Sequence, residues 1–466
     1  MGVKIQKVNL SKIAKHKYVR FDEKYHNVYN EKITDTIKLD EIFFIKNGVS
    51  LTDYYTEEKT NKPFIRIADL SYLGNMNTDN LIYLTEDCPI RDDLIVKEDE
   101  IIFATIGNTI GKCNLVGELK GGTFSNNTVC LCVKNKKKFS PRFLELLLHT
   151  NLMQERIWGA VSQKAQPNLQ DYDLRNILFP NVPIEKQLEN LKEIASAETE
   201  IDNLKSSKIQ EVNIINNVIG EELGIDWLYF KQLIDIKQYS VNLSDYSNNT
   251  DCRMSYNFHN MAEKYLWNFM LSKTDKRIKD FISDPIVLGE SISPEQYDED
   301  GDYYYIAMSN IKTWAFESKD CKKVKKTYAE MAMKKGKCIK KNDIILARSG
   351  EGTIGKVALI TDELSAIFAD FTQRIRLRNF NPLCAYYYFR SDIFQYFVFS
   401  QKKGMGNNTN IFPNQVQEFP MPDWSLEKQT RIALKIKAQL DFQKKIDEQI
   451  RQKQQEILQL VENAVK

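Results

Sequence analysis

Apolar positions along the chain follow two different periods. Short apolar runs, such as IIFATI (101–106), TVCLCV (128–133), DIILARS (343–349), VALIT (357–361) and RIRLR (374–378), are separated by Gly, Asn and Asp, which predicts strands joined by turns. In two long stretches the apolar residues instead recur at three- and four-residue steps. The first holds Ile184, Leu188, Leu191, Ile194, Ile201, Leu204, Ile209, Val212, Ile215 and Ile219; the second holds Leu426, Ala433, Ile436, Leu440, Ile446, Ile450, Ile457 and Leu460. Each predicts a helix of ~40 residues, ~60 Å long, over about 184–222 and 426–465. Prolines stand just before each helix (Pro180 and Pro183; Pro420 and Pro422) and are absent inside. Lys, Glu and Gln fill the other faces, which is the coiled-coil pattern. One such narrow stripe is not stable alone, so the two helices are expected to pair with each other.

The elements come twice. DEIIFATIGNTIGK (99–112) matches NDIILARSGEGTIGK (342–356), and FSNNTVCLCVKN (124–135) matches FADFTQRIRLRN (368–379). The offset from Lys112 to Lys356 equals that from Phe124 to Phe368. IRIADLS (65–71) parallels IAMSNIK (306–312), FPNVPIEKQ (179–187) parallels MPDWSLEKQ (421–429), and RFDEKYHN (20–27) weakly echoes RMSYNFHN (253–260). Conserved order and near-constant spacing indicate a duplication. The expected fold is α+β: two tandem mixed β-rich domains, 1–180 and 223–420, each followed by a helix segment, 181–222 and 421–466, with a pseudo-two-fold internal repeat.

With 466 residues and 42% hydrophobic positions the chain can bury more than one core. Its net charge is only +2, from 65 Lys+Arg against 63 Asp+Glu, so any nucleic-acid contact must use locally concentrated charge. The eight cysteines form no CxxC pair. Cys130 and Cys132 should share one strand face as core residues rather than as metal ligands. The histidines, His16, His26, His149 and His259, are scattered. A reducing compartment and no metal site are expected. No secretory signal opens the chain, Gln6 stands where a myristoylation motif needs Ser or Thr, and no run is apolar enough to span a membrane; the expected location is cytoplasmic. Gly350 to Lys356 fits G-x-x-x-x-G-K, but Val357 follows where a phosphate loop needs Ser or Thr, and the next residues read as a strand. A turn between strands, with glycine at positive φ, is the better account. Methyltransferase, dinucleotide, serine-hydrolase and zinc-protease motifs are all missing, so no catalytic residue is expected.

Taken together, the repeated modules ending in Thr109-Ile110-Gly111-Lys112 and Thr353-Ile354-Gly355-Lys356 resemble the specificity (S) subunit of type I restriction-modification systems. So do the Pro-to-helix junctions with Ile184-Glu185-Lys186-Gln187 and Leu426-Glu427-Lys428-Gln429, and the polar stretches before them. The family's junction reads P-x-x-E-Q; here Lys stands between Glu and Gln in both copies. The resemblance covers nearly the whole chain. It implies that each domain reads one half of a bipartite, asymmetric DNA target and that the helices pair antiparallel to hold the domains apart. It also implies two docked methyltransferase subunits, which carry the S-adenosylmethionine chemistry, and motor-nuclease subunits that can join them in phage defence. No cofactor is expected in this chain. An enzyme with fused recognition domains is the alternative.

Phosphates are contacted by Lys, Arg and small polar donors, and base edges by Arg, Lys, Asn, Gln, Ser and Thr. The best candidates are the polar loops before each junction. The first offers Ser162, Gln163, Lys164, Gln166 and Asn168; the second offers Lys402, Lys403, Asn407, Asn408 and Asn410. Asn108, Lys112 and Lys356 in the Gly turns come next, with Arg66, Arg348 and the strand residues Gln373, Arg374, Arg376 and Arg378. For the strand residues, a solvated sheet face is the plain alternative. The lysine-rich stretches 319–326 and 334–341 are read as a surface that steers phosphate, or as a merely solvated one.

Overall fold

The computed structural model describes residues 35–72, 74–119, 121–162, 166–247, 253–311, 313–350, 352–404 and 408–465. The chain divides into two compact units: residues 1–207 with 446–466, and residues 208–445. These are not the sequence halves, because each unit takes its helices from both stretches of helical periodicity.

In the first unit the strands are β1 Thr36–Lys38, β2 Phe43–Asn47, β3 Tyr55–Thr56, β4 Pro63–Ile65, β5 Ile82–Leu84, β6 Ile101–Ala104, β7 Cys113–Leu115, β8 Thr123–Phe124, β9 Thr128–Val133 and β10 Leu178–Pro180. They form sheets ordered β2-β9-β6-β7 and β3-β5-β4-β8, with a β1-β10 pair. Its longer helices are α1 Pro141–His149, α2 Asn151–Ala160 and α3 Ile184–Ser206. The second unit holds α4 Glu211–Leu223, α5 Trp227–Ile234, α6 Met261–Lys273, α7 Lys326–Lys334, α8 Pro382–Arg390 and α9 Asp392–Gln401. Helix α10, Leu426–Ala464, enters the second unit with its first part and the first unit with its last. The strands of the second unit are β11 Val287–Leu288, β12 Tyr303–Ile306, β13 Lys322–Val324, β14 Ile344–Ala347, β15 Val357–Leu359, β16 Ala366–Phe368 and β17 Thr372–Ile375, in sheets ordered β11-β17-β14-β15 and β13-β12-β16.

The duplication read in the sequence is a duplication of structure. β6 pairs antiparallel with β9 through Ile101–Leu131 to Ala104–Thr128, and β14 with β17 through Ile344–Ile375 to Ala347–Thr372. β4–β8 and β12–β16 are the parallel pairs of the two copies. The turns before β6 and β14 put Asp99 and Asn342 at φ of 66° and 71°, a left-handed conformation that Asn and Asp tolerate best among non-glycine residues. After the Gly turns, Gly111 and Gly355 sit at φ of 91° and 90°. A Cβ there would stand 2.4 Å and 2.6 Å from the Oε1 atoms of Gln154 and Gln395, side-chain ends that can move aside, so it is the left-handed backbone conformation that calls for glycine. A strand, not a helix, follows each turn, as the sequence reading expected.

Each Pro-to-helix junction is locked by its buried glutamine. Gln187 Oε1 accepts from Ser140 N (2.8 Å) and its Nε2 donates to Val182 O (2.7 Å). Gln429 Oε1 accepts from Asn381 N (2.6 Å) and its Nε2 donates to Trp424 O (2.6 Å). Ser140 and Asn381 are themselves the N-caps of α1 and α8, each with proline at the first turn. One side chain thus ties the start of a core helix to the start of a long one.

One expectation is corrected. The first long helix is broken at 207–210 into α3 and α4. Ser206 and Ser207 hydroxyls donate back to the carbonyls of Asp202 (2.8 Å) and Leu204 (2.7 Å), and Ile209 N is taken by Gln443 Oε1 (2.9 Å). Side-chain bonding of this kind competes with the helix ladder. The stretch after 223, expected to be mixed and β-rich, opens with its helical part: α5 and α6, whose Phe230, Leu233, Leu266 and Met270 join an aromatic-rich core with Phe394, Phe397 and Phe419.

Within each unit the long helices run antiparallel. In the first, Asn190 Nδ2 donates to Leu460 O (3.1 Å) and Lys453 pairs with Glu200 (2.9 Å), over a shared core of Ile194, Ile201, Ile457 and Val461. In the second, Arg431 pairs with Glu222 (3.1 Å) and Lys435 with Glu221 (2.8 Å), over Ile215, Ile219, Ile432 and Ile436. Among the described residues no helix is long and apolar enough to cross a membrane.

Candidate nucleic-acid interface

In the first unit, the chain leaving α2 forms a loop that is pinned onto the turn after β6. Ser162 N and Oγ both donate to Asn168 O (3.2 and 3.0 Å). Gly107 N donates to Pro167 O (2.8 Å) and Leu169 N to Thr105 O (2.9 Å). This brings Ser162, Gln166 and Asn168 beside Asn108 and the Thr109–Lys112 turn. Asn108 and Gln166 are exposed; Lys112 is half-buried. Tyr72, which sequence reasoning missed, joins them: its hydroxyl donates to Asn108 O (2.9 Å) and Lys112 Nζ lies 5.3 Å above its ring. Its signal was an aromatic directly after the repeated IRIADLS stretch. Gln163 and Lys164 lie outside the described residues.

The second unit repeats the arrangement. Lys403 and Asn410 exchange backbone hydrogen bonds (both 2.7 Å), and Ile411 N donates to Arg348 O (2.8 Å), which docks the loop on the turn after β14. Arg348 holds the loop from below, donating to Asn410 Oδ1 (3.0 Å) and Asp370 O (2.7 Å). Asn408 is exposed, and Lys402, Lys403, Asn410 and Lys356 are half-buried. Asn407 lies outside the described residues.

Four candidates are not part of this assembly. Gln373 and Arg374 are buried in β17, with exposures of 0% and 3%, so the expected solvent-facing strand row is corrected. Arg374 Nη1 donates to Gly336 O and Cys338 O (both 2.8 Å). Arg376 grips Asp343 through Nε (2.7 Å) and Nη2 (2.8 Å) and reaches Asp284 (2.8 Å). The sheet face that carries them is covered, which alternation alone does not reveal. Only Arg378, beyond the strand's end, is exposed. Arg66 is engaged by Asp69 (3.0 Å) and Asn80 O (3.3 Å). In the lysine-rich stretches, Lys319 pairs with Glu317 (2.9 Å) and Lys335 with Glu290 (2.7 Å).

The duplicated sheets neutralise a buried acid in two ways. In the second unit Asp343 is met by Arg376. At the matching place in the first, Glu100 is met by Lys46 (2.8 Å) and by the thiols of Cys132 (3.0 Å) and Cys130 (3.3 Å). Burial pushes the Glu100 carboxyl up, but these donors and the Lys97 N–H outweigh it and hold it below its ordinary value. Cys130 is pushed far up by Cys132 and by burial, so it stays a thiol. The two sulfurs share one face, 3.7 Å apart, as alternation predicted. Glu100, Cys130 and Cys132 are also the one group among the described residues with donors placed closely enough for a metal ion.

Beneath the second loop, Glu263 accepts from Ser400 Oγ (2.6 Å) and Gln401 Nε2 (2.9 Å). Burial raises its pKa to about 7, against the pull of these two donors and Arg253. A carboxyl raised in the folded state stabilises fully below its unfolded value, and that stability is lost as pH rises through the folded one. Denaturant melts of the wild type should therefore weaken by on the order of 2–3 kcal/mol from pH 4.5 to pH 7. In Glu263→Gln this slope should vanish; an equal slope in the variant would exclude Glu263 as its source.

The model for the type I restriction modification DNA specificity domain matches the chain twice, over residues 31–213 and 272–459. The chain belongs to this family. As a type I specificity chain it carries the domain in tandem, and the two pinned loops fall inside the two matches. Solved structures that the chain matches include a chain from work on complex assembly and conformational transition of the type I R-M system. It is 15% identical, with a TM-score of 0.43, and covers 92% of this chain and 97% of that one. An S subunit from M. genitalium is 13% identical, with a TM-score of 0.39 and coverages of 93% and 97%. The HsdS subunit from Thermoanaerobacter tengcongensis is 13% identical, with a TM-score of 0.30 and coverages of 92% and 95%. No curated protein matched the chain.

Proposed function

We propose that each unit of this specificity chain reads one half of a bipartite, asymmetric DNA target through its pinned loop and the adjoining Gly turn. The observation that carries this reading is one frame with two different tips. The order of the four-stranded sheet that carries the Gly turn and the same loop-on-turn docking recur in both units, while the loops present Ser162, Gln166 and Asn168 in one and Lys402, Lys403, Asn408 and Asn410 in the other. Like frames with unlike donors suit two unlike half-sites. On this reading the long helices act as a coiled-coil ruler between the half-sites. The chain has no catalytic residue of its own and works in the cytoplasm. Two methyltransferase subunits, carrying S-adenosylmethionine, dock on it, and motor-nuclease subunits join where restriction accompanies modification. Leu434 and Phe442, exposed apolar residues on α10, are suited to such docking.

The loop is tested by Lys402→Ala with Lys403→Ala. DNA affinity should fall roughly ten-fold per lost contact, and the slope of log affinity against log salt should flatten by about 0.9 per lost phosphate contact. Unchanged binding at several salt concentrations would remove the loop from the interface.

A further inference from the structure

Two thiols and a carboxylate converge on one face of the first unit's sheet β2-β9-β6-β7, and strand register puts them there. Lys46 of β2 and Ile102 of β6 flank Cys130 of β9, and Glu100, one residue before the Ile101–Leu131 pair, stands across from Cys132. Cys132 Sγ lies 3.0 Å from Glu100 Oε1, Cys130 Sγ lies 3.3 Å from Glu100 Oε2, and the sulfurs are 3.7 Å apart. On its other sides the carboxylate is held by Lys46 Nζ (2.8 and 3.0 Å) and by the Lys97 N–H (2.9 Å). It is thus oriented before any ligand arrives. Cys130 is wholly buried in a core with Val96, Ile102 and Ala104, while Cys132 is half-buried and the edge beside it and Lys46 is partly open. The second unit shows that thiols are not needed to balance the acid. There Arg374 takes the matching register between Val287 and Ile345, and Arg376 neutralises Asp343. In the first unit the cation has moved to Lys46, and sulfur stands where the two arginines would be.

We propose that Glu100, Cys130 and Cys132 bind one divalent ion of the zinc class, which ties β9 to the start of β6. Tetrahedral zinc places two sulfurs about 3.8 Å apart, and a sulfur and a carboxylate oxygen about 3.5 Å apart. The sulfurs already have the first spacing, and the carboxylate needs only a slight shift to reach the second. On binding, both S–H bonds break, two sulfur–metal bonds form, and the two protons leave to solvent. Charge stays balanced: two thiolates and one carboxylate face the divalent ion and the Lys46 ammonium, so the buried site is neutral before and after. Water at the partly open edge completes the fourth place. Magnesium and calcium do not suit the site, because they take oxygen ligands and two of these three are sulfur. The site is independent of DNA recognition, and it departs from the sequence expectation that both cysteines are core residues only.

The test is titration of the full chain, reduced and stripped of metal, with cobalt(II) as a coloured probe and zinc as competitor. Wild type should take up one ion with a thiolate-to-cobalt band in the near ultraviolet and the strong visible bands of a tetrahedral ion. Two protons should be released, and zinc should bleach the spectrum. Cys130→Ser and Cys132→Ser should each weaken zinc binding more than about 100-fold, beyond the loss usual for an outer-shell partner. Cys321→Ser and Cys338→Ser, at half-buried thiols of the second unit, should leave it unchanged. Zinc should raise the melting midpoint of wild type and not that of Cys132→Ser. A wild-type chain that shows no thiolate band overturns the site, however stable the variants are. A band that survives both Cys130→Ser and Cys132→Ser, or that is lost in Cys321→Ser or Cys338→Ser, places the metal elsewhere and overturns it equally.

Discussion

Arg376→Ala is expected to destabilise the second unit by about 3–5 kcal/mol, because it strips a buried carboxylate of its counter-charge. Asp343 is 1% exposed, and its two carboxylate oxygens are held by the guanidinium at 2.7 and 2.8 Å. Its remaining partner is the Lys340 N–H, at 2.7 Å. The bridge to Asp284 is lost as well. Urea melts should show the midpoint fall, and the double change Arg376→Met with Asp343→Leu should recover most of it, since an apolar pair removes the stranded charge. At the matching place of the first unit, Cys132→Ala should cost only about 1 kcal/mol, because Lys46 still neutralises Glu100. An unchanged melt combined with lost DNA affinity would return Arg376 to the interface and refute the structural role.

A one-turn insertion of four residues in α10 after Lys445, with four matching residues added to the break after Ser207 so that the chain can follow, is expected to lengthen the gap in the recognised sequence by one to two base pairs. These are the points at which the chain passes between the two compact units. One turn adds about 5.4 Å, and DNA rises about 3.4 Å per base pair. The pinned loops are untouched, so both half-site sequences should persist. Half-site sequences that change while the gap stays fixed would refute the ruler. Because α10 is one uninterrupted helix while its counterpart is broken at 207–210, the insertion in α10 is expected to matter more.

Much of this was legible in the chain because it depends on local order. The T-I-G-K turns, the apolar strand runs and the Pro-to-helix junctions recur at a near-fixed offset, and a duplicated pattern implies a duplicated fold. The loop residues Ser162, Asn168, Lys403 and Asn410 could be singled out as candidates because they precede the junctions, although their docking on the turns after β6 and β14 is a tertiary event. Gln373, Arg374 and Arg376 misled for the opposite reason. Alternation places side chains on a face but does not say what covers it, and here Asp343 and the carbonyls of Gly336 and Cys338 wait behind the strand. The break between α3 and α4 was hidden because apolar spacing continues through it, while two serine hydroxyls and Gln443 redirect the backbone. Tyr72 lies far in sequence from the group it holds, so no local pattern marks it.

Sequencing the host's methylated sites with and without this gene tests the central claim most directly. Two unlike half-sites separated by a gap of fixed length should be methylated when the gene is present and lose methylation when it is deleted, and changes confined to Lys402, Lys403 and Asn408 should alter one half-site alone. Methylation that survives deletion, or a single continuous motif that shifts as a whole when one loop is changed, would contradict it.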